Sequence, residues 1–134
     1  MFVDASAIIA LLADEPGAER ISSTLADAPA RITSPVAVLE AVMGLARPDK
    51  FNRGQAAVQP IVLDFLELRD IEIRDLPPAP VAVDLAVGAA NRYGSGRRRL
   101  NHGDCLHYAC ARHYAVPILA MDDEFRQTDL DVVP

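Results

Sequence analysis

The chain has 134 residues, 51% of them hydrophobic and 24% charged, with a formal net charge of −6. That length gives one domain with a real core, and the composition excludes a disordered chain. The negative balance excludes non-specific nucleic-acid binding through the whole surface, though not through a local basic patch.

Phe2 to Asp4 reads as a short buried strand. Ser6 is placed to cap a helix over residues 7–13, and Pro16-Gly17 breaks it. This N-terminal apolar run lacks a basic leader, is bracketed by Asp4 and Asp14, and is too short to span a bilayer. A cytoplasmic protein with no membrane partner is therefore expected. A second helix is predicted over 18–28, with Ile21 and Leu25 at i, i+4 spacing, then a weak strand at 31–33. Ser34 as N-cap and Pro35 in the first helical position start a helix that carries Glu40 and runs to Ala46.

Residues 53–69 are again helical in pattern, with Pro60 predicting a kink or a break. Ile71-Glu72-Ile73-Arg74 alternates as a half-buried strand should. A helix over 81–93, a loop containing Arg97-Arg98-Arg99, a helix over 104–114 and strands at 117–120 and 130–133 complete the chain. Helices alternating with short apolar strands predict an α/β domain, residues 1–134, built on a central, mostly parallel twisted sheet flanked by helices. No repeat, linker or low-complexity stretch interrupts it.

Four acids stand in or beside apolar runs: Asp4, Glu40, Asp104 and Asp122. A buried carboxylate is costly unless it is paired with a cation or held at a metal. The only lysine is Lys50, and no arginine lies near Asp4 or Glu40 in sequence, so a divalent metal is the simplest partner for the group. Asp4 and Asp122 each follow a strand-like run, at the carboxyl edge where open parallel sheets bind ligands. Carboxylates are hard oxygen donors suited to Mg²⁺ or Mn²⁺. An acidic cluster beside a basic loop is what phosphodiester hydrolysis needs: the metal activates water and offsets charge on the phosphate.

Cys105 and Cys110 lie about 140° apart on one helix at 3.6 residues per turn, which predicts buried free thiols rather than a disulfide. The set His102, Cys105, His107, Cys110 and His113 has none of the usual zinc spacings. No Gly-x-Gly-x-x-Gly follows the first strand, which excludes a dinucleotide fold. Lys50 is misplaced for a phosphorylation-controlled receiver.

The opening Met1-Phe2-Val3-Asp4-Ala5-Ser6-Ala7-Ile8-Ile9-Ala10 resembles that of PIN-domain nucleases. Leu100-Asn101-His102-Gly103-Asp104-Cys105-Leu106-His107-Tyr108-Ala109 is similar to the segment of VapC-type toxins that carries the third acid. Pro117 to Phe125, with Thr128-Asp129, resembles their C-terminal block, and Ser34 to Glu40 fits the helix bearing the second acid. The resemblance spans residues 1–134. It implies the toxin half of a type II toxin–antitoxin pair, a Mg²⁺-dependent (or Mn²⁺-dependent) endoribonuclease with Asp4, Glu40, Asp104 and Asp122 as catalytic and metal-binding acids. Asp123 is open as a sharer or substitute for Asp122. Ser6 is implied as support for an acid, with Asn101 and Thr128 behind the acids. Arg97, Arg98 and Arg99 are implied in contact with RNA or with the antitoxin. The implied partners are a VapB-type antitoxin, an RNA substrate and a second copy in a homodimer, with the helices near 7–13 and 36–46 as surfaces. A PIN-like domain acting in RNA processing, or only binding a partner, is the alternative.

Overall fold

The computed structural model describes residues 1–134. In chain order it contains β1 (Phe2–Val3), α1 (Ala5–Leu12), α2 (Ala18–Ala26), β2 (Arg31–Thr33), α3 (Pro35–Ala46), α4 (Gln55–Leu68), β3 (Ile71–Ile73), α5 (Ala79–Tyr93), α6 (His102–Tyr114), β4 (Ile118–Leu119), a 3₁₀ turn (Glu124–Gln127) and β5 (Val132–Val133). The five strands form one sheet in the order β3-β2-β1-β4-β5, with every pairing parallel. Phe2 is in register with Ile32 on one side and Ile118 on the other.

Central strands of a parallel sheet are covered on both faces and so read as unbroken apolar runs. Phe2, Val3, Ile118 and Leu119 are accordingly fully buried, each such side chain contributing about 1.5–3 kcal/mol. The chain builds β1, β2 and β3 to one side and then crosses back to place β4 on the other side of β1. That reversal opens a crevice at the carboxyl ends of β1 and β4, where ligands bind in open α/β sheets.

Several local expectations need correction. Ser6 does not cap α1: the cap is Asp4, whose carboxylate accepts the Ser6 N–H, so the helix begins at Ala5. Helix α4 runs unbroken through Pro60. An interior proline costs roughly 3 kcal/mol, and burial of Val58, Val62 and Leu66 along one face offsets it. In the edge strand β3, Ile71 is buried but Ile73 is exposed, so the alternation is only half realised. Helix α1 buries Ala7, Ile8 and Ala10 and leaves Ile9, Leu11 and Leu12 partly exposed, whereas α3 exposes Leu39 and Met43. Both cysteines are buried and free. Ser34 caps α3 as its sequence predicts, its hydroxyl accepting the Ala37 N–H at 3.2 Å, with Pro35 in the first turn.

Candidate active site

Asp4 extends the pairing of β1 by one residue, its N–H donating to the Leu119 carbonyl at 3.0 Å. This fixes its side chain at the crevice. Carboxylate oxygen Oδ2 accepts from the Ser6 N–H (2.9 Å) and the Ser6 hydroxyl (2.6 Å). The Ser6 hydroxyl oxygen in turn accepts the Met121 N–H at 2.9 Å. One serine thus ties the acid at the end of β1 to the backbone beyond β4. The other oxygen, Oδ1, lies 2.7 Å from Nδ1 of the fully buried His107. That is an ion-pair distance, but the N–H is not aimed at the oxygen, and Oδ1 is buried with no hydrogen-bond donor.

Glu40, on α3, brings Oε2 to 3.6 Å from His107 Nε2. Asp104 is the third residue of α6 and forms a reciprocal cap with Asn101. The Asn101 side-chain oxygen accepts the Asp104 N–H (3.1 Å), and Asp104 Oδ2 accepts the Asn101 N–H (2.7 Å). The capping role of Asp104 and its place at the crevice are therefore compatible, because only one carboxylate oxygen is engaged. Asp122 follows β4. A cavity of about 110 Å³ is lined by Asp4, Glu40, Asp104 and Asp122 together with Ser6, Asn101 and Glu124.

The crowding of like charge shows in the ionisation of these groups. Burial raises the Glu40 carboxyl above its usual range, with Asp4, Asp104 and Asp122 pushing the same way against His107. Burial likewise raises Asp104, opposed by the hydrogen bond from Asn101. Asp122 is raised by burial and then by Glu124 and Asp4. Only Asp4 goes down: burial would raise it, but His107 and Ser6 outweigh that. The His107 imidazole is pulled down by burial, yet its contacts with Asp4 and Glu40 carry it above its ordinary value.

The structure separates the remaining expected residues. Asp123 points away from the cavity into an ion-pair chain, 3.2 Å from both Arg98 and Arg126. The Thr128 hydroxyl donates to the Phe125 carbonyl at 2.7 Å and closes the 3₁₀ turn without lining the cavity. Arg97, Arg98 and Arg99 are exposed in the loop before α6, where Arg98 is anchored by Asp123 and by its own carbonyl's hydrogen bond from Gln127. Three residues went unassigned in the sequence: His107, Glu124 and Gly103. His107 supplies Asp4 with a partner that a search for nearby lysine and arginine passes over. Its i+3 spacing from Asp104 was the available signal, since that places both on one face of α6. A Cβ at Gly103 would lie 2.6 Å from Glu40 Oε2, so the bare α-carbon makes room for the glutamate.

The donor set suits a hard divalent cation. It consists of carboxylate oxygens, one of them the donor-less Oδ1 of Asp4, beside three acids that burial and mutual repulsion resist ionising. As the side chains stand, no three His, Cys, Asp or Glu groups are close enough together to grip a metal ion. An open arrangement fits magnesium, which keeps several waters and takes only one or two carboxylates from a protein.

Comparison with known proteins agrees with this fold. The PIN-domain family model matches residues 1–130. A VapC ribonuclease of Rhizobium meliloti is 34% identical, the match covering 96% of this chain and 98% of the relative. A ribonuclease VapC of Mycolicibacterium smegmatis is 35% identical, covering 99% of each. Among solved structures, the sarcin–ricin-loop-cleaving toxin VapC20 of Mycobacterium tuberculosis superposes with a TM-score of 0.75 at 18% identity, over 99% of this chain and 98% of that one. The VapBC2 complex of Rickettsia felis, bound to promoter DNA, contains a chain that superposes at 0.68 and 14% identity, over 98% of this chain and 95% of that one.

Proposed function

This chain belongs to the PIN-domain family, among its VapC ribonucleases, and on that premise we propose that it is the toxin of a type II toxin–antitoxin pair, a Mg²⁺-dependent endoribonuclease. The observation that carries the reading is the meeting of Asp4, Glu40, Asp104 and Asp122, from four separate segments, in one cavity at the carboxyl edge of the sheet. One or two of Asp4, Glu40, Asp104 and Asp122 would hold Mg²⁺, or Mn²⁺ in its place, directly, and the others would act through its waters. The cation supplies Lewis acidity that activates water and offsets charge developing on the phosphodiester. The chain's own residues prepare that chemistry. Ser6 and His107 keep Asp4 ionised and fixed, the Asn101 cap orients Asp104, and Gly103 leaves Glu40 space to reach the cavity. The raised carboxyls of Glu40, Asp104 and Asp122 make the empty charge arrangement unfavourable, so a cation is drawn in.

The partner reading rests on an apolar groove of about 590 Å³ beside the acids, in which Ile9, Val36, Leu39 and Met43 line one wall. Leu39 and Met43 are exposed one turn apart, a spacing that receives the apolar face of a helix. A VapB-type antitoxin helix laid there would cover the acids. Val83 and Val87, exposed at i, i+4 on α5, support self-association as a homodimer. No helix is long and apolar enough to cross a membrane, and a cytoplasmic location fits an RNA substrate.

The test is cleavage of total bacterial RNA by the purified, antitoxin-free chain, with Mg²⁺ and with EDTA, beside Asp104→Asn. Discrete fragments that require both the metal and Asp104 are expected. Intact RNA from folded, metal-supplied protein would sink the nuclease reading in favour of a partner-binding role.

A further inference from the structure

Beside the acid cavity, and sharing Ser6 and Asp122 with it, opens a second cavity of about 270 Å³. Its other polar walls are Arg47, Lys50, Glu15 and Asp49. The chain's only lysine is therefore next to its most acidic pocket. It is not on a loose loop. The turn after α3 is wound back on the helix by hydrogen bonds from Lys50 N–H to the Arg47 carbonyl, Phe51 N–H to the Leu45 carbonyl, and Asn52 N–H to the Arg47 carbonyl, each 3.0 Å. Arg47 lies seven residues beyond Glu40, roughly 10 Å along α3 at 1.5 Å per residue.

Both cations are paired, Lys50 in a mostly buried contact and Arg47 in an exposed one. Lys50 Nζ is paired with Glu15, and both side chains are three-quarters buried. Arg47 Nε is 3.0 Å from Asp49. In the loop before α6, Arg98 is held by Asp123. Any strand that lays a phosphodiester over Asp4 and Asp122 has to place its neighbouring phosphates among further acids, unless a cation receives them. The Arg47–Lys50 cavity is contiguous with the acids through Ser6 and Asp122, and it sets two cations among Glu15, Asp49 and Asp122.

From this geometry we infer that Lys50, assisted by Arg47, is a binding residue for a flanking phosphate of the RNA strand, and that Glu15 occupies Lys50 as a surrogate anion until RNA displaces it. This takes the ribonuclease reading as its premise and adds where the strand runs. It also accounts for how a chain of net charge −6 carries a phosphate site without attracting polyanions at large: the site's charge is cancelled until a ligand held by the acids brings a phosphate beside it. A purely structural ion pair, tying the turn after α3 to the turn after α1, makes a different prediction. In that case Lys50→Gln and Glu15→Gln are equivalent lesions.

The experiment measures binding of a fluorescent single-stranded RNA by anisotropy across a salt series. Mg²⁺ is present, and an Asp104→Asn background keeps the probe intact. Lys50→Gln is expected to weaken binding several-fold and to reduce the slope of log affinity against log salt by about 0.7, the loss of one phosphate contact on a single strand. Glu15→Gln is expected to tighten binding. Arg69→Gln removes the same charge at the opposite edge of the sheet, where the Arg69 carbonyl accepts from Arg31 at the start of β2, and is expected to leave the slope unchanged. Thermal melts of each variant report the fold. The inference is overturned if Lys50→Gln and Glu15→Gln shift affinity in the same direction, or if Lys50→Gln behaves like Arg69→Gln. Should the unmodified chain cut RNA while Lys50→Gln binds normally, only this inference fails. Should the unmodified chain neither cut nor bind RNA, the ribonuclease reading fails with it.

Discussion

Gly103→Ala separates the stability of this fold from its activity, because the two effects of one methyl group have opposite signs. Gly103 is the second residue of α6 and is not in the left-handed region of backbone space. Alanine is the better helix former by up to about 1 kcal/mol, so the fold should be unchanged or melt a few degrees higher. The new Cβ, however, would sit 2.6 Å from Glu40 Oε2 and 3.2 Å from Asn101 Oδ1. Glu40 is the flexible end of a half-exposed side chain, so it yields rather than the helix. Restoring ordinary contact moves its carboxylate by about 0.8 Å. A misplacement near 1 Å at a reacting centre lowers rate by about 10²-fold, and we expect kcat/KM to fall by roughly 10- to 100-fold. The assay pairs RNA cleavage in Mg²⁺ with a thermal melt on the same preparation, and Glu40→Gln provides the reference for losing the carboxylate outright. Wild-type cleavage by Gly103→Ala, or an activity loss accompanied by unfolding, would refute the reasoning that Gly103 exists to seat Glu40.

Three further outcomes follow from the same geometry. His107→Leu leaves Asp4 buried beside no cation and should cost about 3–5 kcal/mol, the range for breaking a buried pair, in urea unfolding with EDTA. Adding Asp4→Asn to His107→Leu should recover part of that loss, and strict additivity would show the two side chains uncoupled. Asp122→Asn should lower cleavage more than the roughly 10–100-fold typical of a group behind a metal ligand, while Asp123→Asn, which only loosens Arg98 and Arg126, should stay within a few-fold. Equal effects would contradict the division of roles between these neighbours. Tyr108→Phe removes the 2.7 Å hydrogen bond to Asp129, worth about 1 kcal/mol at neutral pH. Burial and this bond push the phenol up to about 12, and the same bond holds Asp129 below its usual range. A raised phenol contributes stability in full below pH 10, lost as pH rises through about 12. A depressed carboxyl contributes above its unfolded value, lost as pH falls through its lower folded one. The difference between Tyr108→Phe and wild type should thus be largest between about pH 4 and pH 10, and a pH-independent difference in unfolding free energy would show that the bond does not form.

What the sequence revealed was local. Ser34-Pro35 announces the start of α3 because cap and first-turn chemistry act within three residues. Phe2-Val3 and Ile118-Leu119 announce buried parallel strands because both faces are covered, and Asp4, next after the first, and Asp122, three residues after the second, must then lie near the carboxyl edge. What stayed hidden depended on contacts far apart in the chain. That Asp4 rather than Ser6 caps α1 follows from Ser6 being drawn to Met121. The pairing of His107 with Asp4 exists only once α6 packs beneath β1, where the His107 ring also meets Phe2 at 5.7 Å between centroids. Pro60 predicted a break that tertiary burial of its helix face overrode. Lys50 appeared isolated in sequence because Glu15, the acid it meets, is on the turn after α1.

The site is stable only in part, and that incompleteness is informative. Asp4 is fully provided for: two hydrogen bonds from Ser6 and the His107 contact hold its charge. Glu40, Asp104 and Asp122 are not, since each carboxyl is raised above its usual range. A carboxyl whose folded value is raised contributes fully below its unfolded value, and that contribution is lost as pH rises through the folded value. Wherever they are ionised, therefore, each of the three acids opposes folding. Evolution under stability alone would replace them with amides or apolar residues, as it does at sites that need no charge. On the proposed reading, a cation bound in the cavity they share recovers that free energy. A cation that binds the folded chain and not the unfolded one stabilises it by RT ln(1 + [L]/Kd), so divalent metal should raise the melting temperature of the wild type. The gain should shrink as Glu40, Asp104 or Asp122 is neutralised, while Glu40→Gln and Asp122→Asn, which remove no helix cap, are the more stable proteins in EDTA. A wild type that melts identically with and without metal would leave the three raised carboxyls without a purpose in this fold.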